Sequence, residues 1–128
     1  MTLITTVVSH RTVEIQTDPL APPLIVTRTA LIATARLQND RFAAWVISDV
    51  RDKRGAYRGL VVDTIRAFEA AGLSFHNDAV ILNATATAGL RAERPFRATR
   101  KLTRVHQHLL IFVKGDAKRA ATRLEDAA

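Results

Sequence analysis

Ten of the nineteen lysines and arginines in this 128-residue chain fall into two short segments, and cations gathered in that way suit one kind of chemistry, the holding of polyanions. Residues 51 to 58 carry Arg51, Lys53, Arg54 and Arg58 against Asp52 alone. Residues 91 to 104 carry Arg91, Arg94, Arg97, Arg100, Lys101 and Arg104 against Glu93 alone. Together the segments hold a net charge of +8, while the remaining nine cations and ten anions leave the rest of the chain near neutral. A charge serving only solubility would be spread more evenly. Converging cations release the counterions condensed on nucleic acid, which drives association without any base being read. These ten residues form the candidate nucleic-acid-binding set. Tyr57, within the first segment, is a candidate stacking group.

Other chemistry is poorly supported by the residues present. Asp49 follows an apolar run, where α/β sheets place functional groups, but beside Arg51 and Lys53 it reads as a structural ion-pair partner. Asp63 and Arg66 have the spacing of a surface helical pair. His106 and His108 share one face of an expected strand, as two metal ligands do; no third ligand has a convincing spacing, and His76 with Asp78 is an equally casual pair. Trp45 and Phe112 sit inside apolar runs and read as core. No Ser, His and Asp arrangement stands out, and no glycine-rich loop follows a strand in the pattern that cradles phosphates. The residues therefore name no catalytic group and no metal site.

The elements that must position the basic segments are those of one compact domain spanning residues 1 to 128. Apolar residues at 48% and charged residues at 24% exclude wholesale disorder. Absence of cysteine excludes a disulfide framework and fits a reducing compartment. No apolar run approaches a membrane span, so a soluble, cytoplasmic protein without a membrane partner is expected. Thr2 to Val8 and Thr12 to Thr17 lean towards β structure, and Pro19, Pro22 and Pro23 interrupt the chain after them, so residues 1 to 30 read as a divergent amino-terminal segment. Leu31, Ile32, Ala35 and Leu37 give a helix from Arg28 to Asn39.

Phe42 to Ser48 is a short apolar run that suits a strand covered on both faces. Leu60, Val61, Ile65, Phe68 and Ala71 recur at helical spacing, and Gly72 stops that helix. Asn77 to Asn83 and His106 to Val113 give two more buried strands, and Ala117 to Asp126 a tail helix. Strand 42 to 48, helix 60 to 71 and strand 77 to 83 form a βαβ unit with parallel strands, to which the last strand returns antiparallel. In the second basic segment, Pro95 should open a helix, with Arg97, Arg100, Lys101 and Arg104 on one face. It would break a helix already running, which leaves Arg91 and Arg94 in a preceding loop.

A wider pattern joins these pieces. Asp49-Val50-Arg51-Asp52-Lys53-Arg54-Gly55, Tyr57-Arg58-Gly59, Asp63-Thr64, Ala67-Phe68 and Ala71-Gly72-Leu73 resemble the later half of phage and bacterial DNA methyltransferases, which methylate base amino groups with S-adenosylmethionine. The resemblance runs on through Asn77-Asp78-Ala79-Val80, Arg100-Lys101-Leu102, His106-Gln107 and Phe112-Val113-Lys114-Gly115-Asp116, and covers residues 33 to 122. It implies a partial, Rossmann-like methyltransferase sheet whose final antiparallel strand lies between the other two, with the connection 91 to 104 near the DNA cleft.

The chain also departs from the family. Its members stack a flipped base on an aromatic ring after a proline pair that Asp, Asn or Ser precedes. Here the nearest string is Ala21-Pro22-Pro23-Leu24, and the glycine-rich turn that holds the cofactor is missing. Ser48, Thr103, Val105 and His108 stand where the family tends to have Gly, Gly, Thr and Asn. The resemblance thus implies a truncated, methyltransferase-like chain that binds DNA through two basic loops and transfers no methyl group alone. A partner chain supplying both missing motifs would make it half of a split S-adenosylmethionine-dependent enzyme. Alternatively it is a relic whose exposed sheet edge pairs with another protein or a second copy.

Overall fold

The computed structural model describes residues 24–83, 86 and 88–126. The β-leaning runs at 2 to 8 and 12 to 17 and the proline-rich break lie outside them. The described elements are α1 (Leu24–Arg36), β1 (Arg41–Ile47), α2 (Leu60–Ala70), β2 (Ser74–Leu82), α3 (Ala88–Thr99), β3 (His106–Lys114) and α4 (Ala117–Glu125). The chain is a mixed α/β protein with a three-stranded sheet in the order β1-β3-β2. β3 runs antiparallel to both neighbours, so β1 and β2 are parallel to each other with the last strand inserted between them.

One face of the sheet carries the core. Ala43, Trp45 and Ile47 alternate along β1, and the register sets them opposite Phe112, Leu110 and His108. Phe68 of α2 stacks on Phe112 with centroids 4.5 Å apart and tilts against Trp45 at 5.4 Å. Phe68 and Phe112 are almost wholly buried, each contributing roughly 1.5–3 kcal/mol of apolar transfer. α2 folds as its spacing predicts, and it ends where left-handed Gly72 lets the Leu73 amide reach back to the Phe68 carbonyl, 3.1 Å away.

Three expectations are corrected. α1 begins earlier than Arg28 and buries Val26, Ala30 and Ala33, a helical stripe that Leu37 continues just past its end, while Leu31 and Ile32 face outward. β1 is buried on alternate residues, so one face is covered rather than both. β2 starts at Ser74 and is open along most of its length, with Val80 and Leu82 57% and 73% exposed. Among the described strands it lies at a sheet edge, and its apolar Val80 and Leu82 satisfy a pairing pattern while staying open.

Two polar latches close the end of the sheet where β1 begins. Lys114 donates from Nζ to the carbonyls of Thr34 and Leu37, both at 2.8 Å, neutralising the carboxyl end of α1. Asp40, buried at the entry to β1, accepts from the Asp116 amide at 2.9 Å and pairs with Arg119 at 3.0 Å. Asp116 in turn caps α4 by accepting from the Arg119 amide.

Candidate nucleic-acid interface

The topology brings the two basic segments to one end of the sheet. The first leaves the carboxyl end of β1, the second enters the amino end of β3, and Ile47 pairs with His108 across that ladder. Arg104, just ahead of β3, therefore arrives beside Ser48 and Asp49. Its Nη1 donates to Ser48 Oγ at 2.9 Å and to the Asp49 carbonyl at 3.1 Å.

Tyr57 is where the cations meet. The Arg51 guanidinium lies 3.7 Å from the ring centroid and that of Arg104 4.6 Å from it. Each cation–π contact is worth about 0.5–1 kcal/mol when partly exposed. Arg51 is held further by donating to the Gly55 carbonyl at 2.7 Å, and an isolated bridge joins it to Tyr57. The turn between them is built on Asp52, whose Oδ1 accepts from the Ala56 amide at 2.9 Å. That bond, outweighing desolvation and helped by Arg54 and the Gly55 amide, holds the Asp52 carboxyl below its ordinary value. Lys101 closes the cluster: a β-carbon on Gly55 would stand 2.6 Å from its Nζ, so the ammonium group lies against that left-handed glycine.

The carboxylate of Asp49 is turned to backbone amides. The expected ion pair with Arg51 or Lys53 is replaced by capping. Its Oδ1 accepts from the amides of Val50 at 2.8 Å and Leu60 at 3.0 Å, and its Oδ2 from Gly59 at 3.2 Å. Gly59 itself, in the left-handed region, offers no side chain to cap α2. An acid ten residues upstream does that work, and Ser48, also overlooked as a functional position, anchors Arg104. The only sequence signal for either was a Ser-Asp pair at a strand end with a glycine ahead of the next helix.

The other candidates are placed differently. Arg54 is nearly fully exposed, 3.7 Å from Asp52, and Lys53 and Arg58 are exposed on the same connection. Contrary to expectation, Arg91 and Arg94 belong to a helix rather than a loop, because α3 runs through Pro95. Proline at that position removes the amide that would bond the Arg91 carbonyl, and α3 buries no residue, so water can satisfy that group. The expected helical face of Arg97, Arg100, Lys101 and Arg104 does not form. The helix ends at Thr99, Arg100 takes a positive φ of 56°, and the chain to Val105 is irregular. Arg97 pairs with Glu93 at 2.9 Å, and Arg100 lies 5.3 Å from the Phe96 ring.

His106 and His108 share a face as expected, with rings 5.5 Å apart, and His108 Nδ1 lies 3.2 Å from Asp78 Oδ1. Asp78 thus partners His108 across the ladder, not His76, which packs on Phe42. Among the described residues no three His, Cys, Asp or Glu side chains gather as a metal site. The amides of Gly59 and Leu60 at the start of α2 are bonded to Asp49.

A solved structure shares the fold of the chain. It is a protein of Thermus thermophilus assigned as a candidate DNA modification methylase, which superposes with a TM-score of 0.55 over 71% of this chain at 15% sequence identity. The chain has a methyltransferase-like α/β fold, a partial Rossmann-like sheet. It spans 35% of that structure's length. No known family profile matches the chain, and no curated protein does. Among the described residues no helix is long and apolar enough to cross a membrane.

Proposed function

We propose that this chain is a nucleic-acid-binding relative of the phage and bacterial DNA methyltransferases, cytoplasmic and without methyl-transfer activity on its own. The observation that carries the reading is the meeting of Arg51 and Arg104 at Tyr57, with Lys101 against Gly55 of the same turn. Three cations from two distant segments lie close together, and the carboxylate of Asp49, the acid beside Arg104, accepts from backbone amides. Such a site gains most when a phosphate enters it. Lys53, Arg54, Arg58 and Arg100 are exposed cations of the same two connections, and the phosphate contacts that they offer are sequence-independent and salt-sensitive.

Titration of the protein against labelled duplex DNA at salt concentrations of about 50 and 200 mM tests this. Affinity falls at least tenfold between them if three or more phosphates are contacted. Arg51→Ala with Lys101→Ala weakens binding and flattens the salt dependence. Absence of binding at the lower salt concentration rejects the reading.

A second reading is favoured by the chain's 35% share of the methylase structure and by the open β2 strand. Here a companion chain completes the sheet and supplies the S-adenosylmethionine site. Transfer of labelled methyl groups only when both chains are mixed supports it; the same null result with and without the companion removes it.

A further inference from the structure

We infer that α3 is a reading helix that lies in the major groove of B-form duplex DNA. The inference rests on the proposed nucleic-acid binding and narrows its substrate from polyanion to double-stranded DNA. α3 has an unusual place in the fold: twelve residues form a helix, and none of them is buried. It contributes nothing to the core and stands open to a partner.

Its charge is arranged for one. At about 100° per residue, Arg91, Arg94 and Arg97 fall within roughly a third of the helix circumference and span about 9 Å of its axis. Leu90 shares this face and is 85% exposed, while Phe96 lies on the opposite side of the helix. An apolar group beside guanidinium groups matches what a base-pair edge offers in the major groove, where guanine presents two acceptors and thymine a methyl group. Glu93 is the one anion of the helix, and its pairing with Arg97 at 2.9 Å is an exposed contact of the kind that exchanges at little cost.

The dimensions select the groove. A helix of twelve residues is about 18 Å long and 10–12 Å across, close to the width of the B-form major groove and about twice that of the minor groove. The major groove of A-form RNA is too narrow and deep for side chains to read. Lys101 and Arg104 follow the end of α3 directly, so the cluster at Tyr57 is placed to take backbone phosphates beside the groove that the helix occupies.

The test measures binding of the full chain to duplex DNA, duplex RNA and single-stranded DNA of equal length, with methylation interference at guanine N7 as a major-groove readout. Duplex DNA should bind tightest, N7 methylation should interfere, and Arg94→Ala with Arg97→Ala should weaken duplex-DNA binding about tenfold or more. Both side chains are exposed, and an unchanged far-ultraviolet circular dichroism spectrum shows the fold intact. If that variant binds as the parent does while Arg51→Ala with Lys101→Ala does not, or if N7 methylation has no effect, the groove assignment is overturned and the phosphate-binding cluster stands. Equal affinity for duplex RNA or single strands also overturns it. If the parent binds no DNA at all, both readings fall together.

Discussion

The guanidinium of Arg104 lies 4.6 Å from the ring centroid of Tyr57, and with that contact the connection before β3 is joined to the connection after β1. The same side chain donates to Ser48 and to the Asp49 carbonyl, so it is both a brace and a charge. Arg104→Lys retains the charge but loses the planar fork that makes two bonds and lies against the ring. It should lower stability by about 1–2 kcal/mol and weaken DNA binding by more than the loss of one phosphate contact. Urea denaturation and anisotropy titration of the same preparation measure the two effects.

Asp49 accepts from two backbone amides at the start of α2, those of Gly59 and Leu60, and from the amide of its neighbour Val50. Asp49→Ala leaves those donors without a protein acceptor and should cost about 2 kcal/mol, at the upper end for a lost helix cap. Asp49→Asn, which keeps one carbonyl acceptor, should cost less. Both values come from the urea midpoint at constant m. Equal effects of the two variants would reject the capping role.

Asp40 gives the acid response. Its carboxyl is held below its ordinary value of 3.8, first by the Asp116 amide, which outweighs desolvation, and then by the bond to Arg119 and the charges of Arg119 and Arg123. A carboxylate depressed in the folded chain stabilises it above 3.8 and loses that contribution as the pH falls through the folded value. Asp40→Asn should therefore be less stable than the parent at neutral pH, and the difference should shrink as acidification carries the pH below 3.8. Denaturation curves across that range measure it; a constant difference would rule the linkage out.

Two glycines with left-handed backbones should respond differently to alanine. On Gly115, φ 86°, the added carbon meets Asp40 Oδ1 at 2.6 Å and the Asp40 amide nitrogen at 3.1 Å, both fixed by the α4 latch. On Gly55, φ 91°, it meets only the mobile end of Lys101. Gly115→Ala should cost about 2–3 kcal/mol, and Gly55→Ala about 1 kcal/mol from backbone strain. Only the second should reduce DNA affinity while the fold persists, because it displaces Lys101 from the turn at Gly55.

Val80 and Leu82 present apolar surface on an edge strand, an arrangement that invites strand pairing between copies. Light scattering should show association rising with protein concentration. Val80→Lys with Leu82→Lys should suppress it without a large loss of stability, since neither side chain is in the core.

How much of this was legible in the sequence depended on whether a residue answers to its neighbours or to distant ones. α2 was readable because Leu60, Phe68 and Gly72 repeat one local rule. α1 was shifted because its exposed Leu31 and Ile32 look more like core than the buried Ala30 and Ala33. β2 was misjudged for a similar reason, as Val80 and Ile81 carry no mark of lying at an edge. The meeting of Arg51 with Arg104 follows from strand order, which the resemblance to methyltransferases supplied and composition did not. Pro95 misled because the rule against internal proline assumes a helix whose carbonyls are shielded, and α3 is not one.

The placement of β3 also governs assembly during synthesis. Among the described residues every ladder of the sheet includes residues 106 to 114, so β1 and β2 gain that pairing partner only after β3 has left the ribosome. Until then Trp45, Phe68 and Val80 belong to a nascent polypeptide in which both described outer strands wait for the central one. A stop codon ahead of His106 therefore removes every described ladder at once, rather than trimming one strand from the sheet.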